Sequence, residues 1–567
     1  MDNQRNMILA IVLSALVLFG WSALSDRFFP TANPPSTKVV NGKPVPLPKP
    51  EASPDAPAAI RDRTIVLAES PRVRIATPRL QGSINLKGAR IDDLVLPLYG
   101  ETIKKDSPPI RLLSPSSTKD AYFAGFGWSG DGVALPGPDT VWTADGNVLT
   151  PEKPVTLSWT NGQGQRFDIK LSVDPDYMFT IEQMVSNGGA GAIAVRPYSL
   201  VSRVGVSKDA DSWTNHTGPM SAINGAADYS VNFSTVDEAG PAGHRVSGKG
   251  GWFGFVDKYW LTAAIPNQTS SVEAGFRTSG NSVYQAEFSS QPAIIQPGKA
   301  ATQTSRFFAG AKEVATLDGY ADRLGITQLD RAIDWGWFIW FEKPIFYLLD
   351  WLFRMVGNFG VAIILLTCIV RGIMFPIAQK QFASMAAMRA VQPKMKELQE
   401  RHKDDKTKLQ QEMLALYQRE KINPLGGCLP IVLQIPIFYA LYKVLMLTIE
   451  MRHQPFALWI KDLSAPDPMT PLNLFGLLDF TPPSFLAIGV LPILLGITMY
   501  LQFKLNPQPM DDVQKQVFGL MPWIFMFIMA PFAAGLQLYW TVSNLLTIAQ
   551  QKWLYSKHPA LQEAQAK

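Results

Sequence analysis

The chain has 567 residues, 47% hydrophobic and 17% charged, with a formal net charge of +5. That length allows more than one domain, and the small net charge, with no basic block carrying interleaved aromatics, excludes a DNA-binding protein. Two cysteines (Cys368 and Cys428) and five scattered histidines supply neither a disulfide framework nor a zinc spacing, so no metal and no cofactor are expected.

Residues 7–24 form an apolar run, with Arg5 before it and Asp26-Arg27 after it. A run of about 18 residues has the length of a spanning helix. The small residues Ser22, Ala23 and Ser25 keep a cleavable signal peptide open as the alternative. Residues 1–25 are therefore read as an anchor whose N-terminus is cytoplasmic. Residues 26–60, with Pro34, Pro35, Pro44, Pro46, Pro48, Pro50, Pro54 and Pro57, form a Pro-rich linker that cannot build a core.

From 61 to 330 short β-type runs alternate with turn residues. The runs at 64–68, 73–76, 155–160, 167–173, 179–185 and 195–204 are examples, and Asn161-Gly162 between two of them signals a hairpin. No amphipathic helix is expected before Leu317, and a short helical connector is expected at 314–329. This pattern predicts a large antiparallel β-sandwich.

Residues 331–358 predict an aromatic amphipathic helix lying in the membrane interface. Ile345, Leu348, Leu349, Leu352 and Val356 share one face, Tyr347, Asp350, Arg354 and Asn358 the other, and Trp335, Trp337, Trp340 and Trp351 stand at headgroup level. Five further spans are expected within a core at 359–556, at about 359–378, 426–449, 485–503, 517–532 and 536–554. The loop at 377–425 carries ten Lys/Arg against six Asp/Glu; the loop at 450–484 carries Arg452 and Lys461 against Glu450, Asp462, Asp467 and Asp479. The positive-inside rule places the first loop in the cytoplasm and the second outside. Six spans then leave both termini cytoplasmic, with a tail at 557–567, and the β domain external. Within the first loop, Met395, Leu398, Leu409, Met413, Leu416 and Tyr417 fall at helical spacing around the turn Lys403-Asp-Asp-Lys406, predicting a helical hairpin at 379–423. Pro430, Pro436, Pro492 and Pro522 are expected to break up the spans.

Arg371 is the sharpest feature. It lies inside an apolar helix with no acid in the same span. Two readings stand side by side. A snorkelling side chain could reach towards the level of Lys380, about 13 Å along the helix. Alternatively the cation faces a wet cavity, because a charge in lipid at depth costs several kcal/mol. Polar residues in the other spans favour the cavity. Gln537, Thr541, Asn544 and Gln551 share a face of the last span, with Trp540 and Thr547 beside it; Gln434 and Gln502 are single amides, and Thr367 lies one turn before Arg371. The bland alternative for any one of them is hydrogen-bonding between helices.

Asn423-Pro-Leu-Gly-Gly-Cys-Leu-Pro430 followed by Gln434-Ile-Pro-Ile-Phe-Tyr-Ala-Leu-Tyr442 strongly resembles the YidC family of membrane-protein insertases. So do Ile369-Val-Arg-Gly-Ile-Met374, Gln392-Pro-Lys394, Pro455-Phe-Ala-Leu-Trp-Ile-Lys-Asp-Leu-Ser464, Leu491-Pro-Ile493 and Ser543-Asn-Leu545. The resemblance is close over about 330–555. It implies an α+β membrane protein of the bacterial inner membrane, with an N-terminal anchor, a five-helix core and a large periplasmic antiparallel β-super-sandwich. It also implies a substrate groove open to cytoplasm and lipid, with Arg371, Thr367, Trp540 and Gln502 at groove positions; the polar pattern of the spans adds Gln434, Gln537 and Asn544 to the expected lining. The expected partners are nascent membrane proteins, the Sec translocon, the ribosome (through the cytoplasmic loops) and membrane lipids. No catalytic residue is implied.

Three rivals are weaker. Gly243-His-Arg-Val-Ser-Gly-Lys249 mimics a phosphate-binding loop, but Gly250 stands where Ser or Thr is required. A secondary transporter would need an inverted repeat or an intramembrane acid, and Glu450 sits at a helix end. A sugar enzyme in the β domain would have only His216 and His244 as histidines.

Overall fold

The computed structural model describes residues 39–40, 43–44, 60–209, 215–402, 405–420, 429–478, 488–505 and 512–557. The expected anchor, most of the linker, Lys403-Asp404, Cys428, the start of the span expected at 485 and nearly all of the tail lie outside the described residues. Within the linker, Val39–Val40 and Lys43–Pro44 pair as a two-residue antiparallel ladder.

Two sheets of nine and eleven strands follow in the described residues. Period-2 burial drives them: along Met178–Asn187 buried and half-buried residues alternate, so one face meets the core. Lys299–Ala311 runs between Met178–Asn187 and Trp260–Ile265 in the smaller sheet, and Ile193–Val204 between Tyr122–Ser129 and Val283–Ser290 in the larger. Nearly all pairings are antiparallel, Arg72–Ala76 with Val148–Leu149 being parallel. The sheets face each other across aromatic pairs, with Phe126 on Phe307 at 6.2 Å and Trp128 on Phe167 at 5.2 Å between ring centres. The expected hairpin at Asn161-Gly162 joins Val155–Thr160 to Gln165–Val173, with Gly162 at φ +72°.

One expectation fails in this region. The run at 64–68 is not a strand but helix α1 (Arg63–Ala68): the Asp62 carboxylate accepts the Thr64 N–H at 2.8 Å, and this N-cap outweighs the β-branched composition. A second helix, α2 (Phe233–Ala239), also precedes Leu317, capped by Asn232 on the Thr235 N–H. The connector is α3 (Val314–Leu324), stopped by Gly325 in the left-handed region at φ +62°.

Helix α4 (Ile339–Val356) buries Glu342, Ile345, Phe346, Leu349 and Leu352 against protein, and Trp337, Trp340, Tyr347, Trp351 and Met355 are exposed. Trp335 departs from expectation: it is fully buried against Phe346, because the segment before α4 threads beneath the β region.

The span expected at 359–378 continues without interruption into the hairpin as α5 (Phe359–Arg401), 43 residues and roughly 65 Å long at 1.5 Å per residue. Its return arm is α6 (Lys406–Arg419), and Val391, Met395 and Leu416 bury between the arms with Leu398, Met413 and Tyr417 around them. Then come α7 (Leu429–Leu447), α8 (Val490–Leu505), α9 (Asp512–Met529) and α10 (Ala534–Lys557). Helix α10 packs on α5 and α8, α9 on α8, and α4 on α5 and α7. The prolines do not break up the spans as expected: α7 and α9 run through Pro436 and Pro522, and Pro430 and Pro492 lie in the first turns of their helices, where a missing N–H costs little.

Among the described residues, 359–380 is long and apolar enough to cross a membrane, with mean hydropathy 2.3; residues 434–447, 490–505 and 519–529 are shorter apolar helices. The helical region also shows apolar side chains outward: Ile373, Ile497, Leu501, Ile524, Phe527 and Ile528 are exposed.

The two regions meet through charged and polar contacts. Lys343 on α4 donates to Asp318 at 2.7 Å and Asp330 at 2.6 Å, and Arg452 donates to the Gly100 carbonyl at 2.9 Å with its guanidinium over Trp260. Glu450, set aside in the sequence as a helix-end residue, accepts the Val314 N–H at 2.9 Å and so caps α3.

Candidate functional site

The middle of the helical region is organised around α10. Its residues divide between two faces roughly 100° apart, as 3.6 residues per turn requires. One carries Gln537, Thr541, Asn544 and Gln551, all buried. The other carries Tyr539, Trp540, Ser543 and Thr547.

Arg371 meets the second face. Its Nε donates to the Ser543 hydroxyl at 3.1 Å, and Nη2 donates to the same oxygen. The side chain is half-buried, and among the described residues no carboxylate lies within ion-pair distance. It stands twelve residues into α5, about 18 Å from the end nearest the β region, and Ser543 is about 14 Å into α10. Each distance is comparable to half of a hydrocarbon layer about 30 Å thick. One turn before Ser543, the Tyr539 hydroxyl accepts from the Gln434 amide of α7 at 2.8 Å. Arg371, Ser543, Tyr539 and Gln434 thus line a polar strip across α5, α10 and α7.

The other expected residues divide. Trp540 borders the strip, its ring packed between Phe438 and Phe525, each at 4.5 Å. Thr367 is buried, its hydroxyl donated to the Ile363 carbonyl of its own helix at 2.6 Å. Asn544 donates to the Thr498 hydroxyl at 3.2 Å, joining α10 to α8. Gln537 is fully buried and donates to the carbonyls of Met529 and Phe532 at 2.8 Å each, closing the turn from α9 into α10. Gln502 is half-buried on α8. The structure therefore brings Arg371, Gln434 and Trp540 together, and Gln537 and Asn544 hold helices to one another. Neither Ser543, which opens the Ser543-Asn-Leu545 motif, nor Tyr539 was expected to line the groove; drawing α10 around Trp540 and Thr547 would have found them.

Towards the β region the polar strip ends. Above the rings of Trp540, Phe438 and Phe525 lies the loop containing 455–464. Asp467 accepts from the Trp459 indole at 2.9 Å and from the Leu491 N–H at 2.7 Å, and the Leu463 and Ala465 carbonyls accept the N–H groups of Gly535 and Ala534. Gly360 lets this loop approach α5: a Cβ there would lie 2.0 Å from the Phe456 ring. At the opposite end Lys394 pairs with Glu420 at 2.7 Å across the hairpin.

The phosphate-loop mimic contributes edge strand His244–Lys249, and His216 is buried with Nε2 on the Pro219 carbonyl at 2.9 Å. Among the described residues no group of three His, Cys, Asp or Glu side chains could hold a metal.

Comparison with known proteins agrees along the whole chain. The family described as YidC periplasmic domain matches residues 72–348, and that described as 60Kd inner membrane protein matches 351–562. The membrane protein insertase YidC of Zymomonas mobilis subsp. mobilis is 51% identical over 564 residues, 99% of this chain and 97% of that one. The Methylobacterium nodulans protein of the same name is 45% identical over 583 residues, 98% of this chain and 96% of that one. A crystal structure described as active YidC insertase with the first transmembrane domain resolved covers 85% of this chain and 92% of its own, at 17% identity and a TM-score of 0.35.

Proposed function

The chain belongs to the YidC family of membrane protein insertases, and on that premise we propose that it passes polar segments of nascent proteins through a hydrophilic groove whose cation is the half-buried Arg371. It is an insertase of the inner membrane, not an enzyme, with a large β-rich periplasmic region and a helical insertase region. In this reading the anchor at 7–24 joins α5, α7, α8, α9 and α10 as six spans, with both termini and the basic hairpin in the cytoplasm.

The observation that carries the reading is a guanidinium twelve residues into the apolar helix α5 with a hydroxyl, and no carboxylate, beside it among the described residues, which the reading places at mid-membrane depth. A charge at that depth needs water or polar neighbours, and an arginine so placed attracts acidic groups entering with the substrate. The strip shortens the hydrocarbon path for a polar segment and offers it hydrogen-bond partners. The substrate's apolar helix then leaves sideways into lipid, driven by burial of its side chains. The loop at 455–467 and the aromatic trio support closure of the groove on the periplasmic side.

The α5–α6 hairpin, with its methionines, is the surface offered to the ribosome and the emerging chain; the exposed tryptophans of α4 are offered to lipid headgroups. The protein works alone or beside the Sec translocon. In cells depleted of the wild-type protein, Arg371→Glu is expected to lower insertion of substrates with acidic leading segments about tenfold, equivalent to ~1.4 kcal/mol. Substrates with uncharged leading segments are expected to insert nearly normally. Unchanged insertion of the acidic substrates would refute the electrostatic role.

A further inference from the structure

We propose that Asp334, Glu342 and Lys443 form a positioning set that holds α7 in register against the β region and makes insertion depend on the pH outside the membrane. The link to insertion rests on the groove reading above; the seating of the two regions does not.

Lys443 lies on α7 among Ala440, Leu441, Val444 and Leu445, and is 1% exposed. Its Nζ donates to the Asp334 carbonyl at 2.7 Å and lies 3.4 Å from the Asp334 carboxylate. That carboxylate also accepts the His216 N–H from the β region and the Gly336 N–H, each at 3.0 Å. One aspartate therefore ties the β region to a helix of the bundle.

Glu342 of α4 stands beside this tie. It is fully buried, and neither carboxylate oxygen has a hydrogen-bond partner among the described residues. The groups facing it are Lys443 and Tyr439 from α7, and Asp334 and Arg331 from the segment preceding α4. A carboxylate without donors in such a site is costly to ionise, and burial pushes Glu342 up to about 8. The sign follows. Below that pH Glu342 is neutral and the Lys443 ammonium belongs to Asp334. Above it Glu342 is an anion and competes for the same ammonium, so the tie between α7 and the β region loosens. Gln434, nine residues before Lys443 on α7, carries any shift of that helix to Tyr539 in the polar strip.

The test uses the full chain in spheroplasts, where the medium sets the outside pH. If insertion follows the neutral fraction of Glu342, raising the medium from pH 7 to pH 9 lowers it about tenfold. Glu342→Gln, which imitates the neutral form, is expected to keep the pH 7 rate and flatten the profile, whereas Glu342→Asp keeps the fall. Spin labels on the β region and the start of α7 should separate at pH 9 in the wild type and not in Glu342→Gln. Identical pH profiles for the wild type and Glu342→Gln would overturn the proposal, as would label distances that do not respond to pH. The Arg371→Glu protein separates the two readings: it should lose acidic substrates at every pH while its label distances still respond. If that variant inserts normally, the groove reading fails and the pH-dependent seat stands.

Discussion

The β region and the helical region use polar groups in opposite ways. In the β region most buried charges face opposite ones: Glu287 is held by Arg245 at 2.6 Å and Arg277 at 3.0 Å, and Arg203 pairs with Asp257 at 3.2 Å beneath aromatic rings, whereas Lys312 donates to the Ala332 carbonyl at 3.0 Å. In the helical region Arg371 faces a serine, Gln434 a tyrosine and Asn544 a threonine. The first arrangement satisfies the paired charges permanently. The second leaves a full positive charge with a neutral partner, able to take a transient acidic one. A scaffold and a passage differ in this respect more than in secondary structure.

The largest expected effect breaks the scaffold and spares the passage. Phe307 is fully buried between the sheets, against Phe126 and Phe179. Phe307→Ala is expected to destabilise the β region by about 3–5 kcal/mol. Hydrogen exchange resolves the regions separately: amides of Lys299–Ala311 should exchange faster while those of α8 and α10 hold. Equal acceleration in both would mean that the regions unfold as one unit. A smaller effect sharpens the contrast from the other side. In a wet strip, water replaces the hydroxyl lost in Ser543→Ala, so the helical region should lose no more than about 1 kcal/mol. A loss near 3 kcal/mol, read by thermal unfolding in detergent, would mean that Arg371 depends on that one hydroxyl in a dry site.

Much of this contrast was legible in the sequence, for stated reasons. Strand period and turn residues located Val155–Thr160 to the residue. The misreading of α1 arose because Thr64, Ile65 and Val66 look like a strand, while a single carboxylate at Asp62 decides for a helix. Helix α2 is seven residues, too short for an amphipathic pattern, and its signal was the Asn232 cap alone. Arg371 and the polar character of α10 were visible from helical spacing. Which polar face meets the arginine was not, because it depends on how α10 is rotated against α5. That rotation turns Ser543 towards the cation and directs Gln537 to the end of α9. Trp335, read as interfacial, and Lys443, embedded in an apolar helix, become partners of one junction only through contacts spanning about a hundred residues, such as Lys443 to Asp334.

The central claim is that water reaches the strip beside Arg371. A thiol reacts with maleimide as the thiolate, which forms in water and not in hydrocarbon. In a protein whose Cys368 and Cys428 are replaced by alanine, a cysteine at Gln434 should be labelled rapidly from the cytoplasmic side by a membrane-impermeant maleimide, and a stalled substrate should protect it. The outward-facing apolar position Ile373 supplies the lipid control. Labelling at 434 no faster than at 373 would contradict the account.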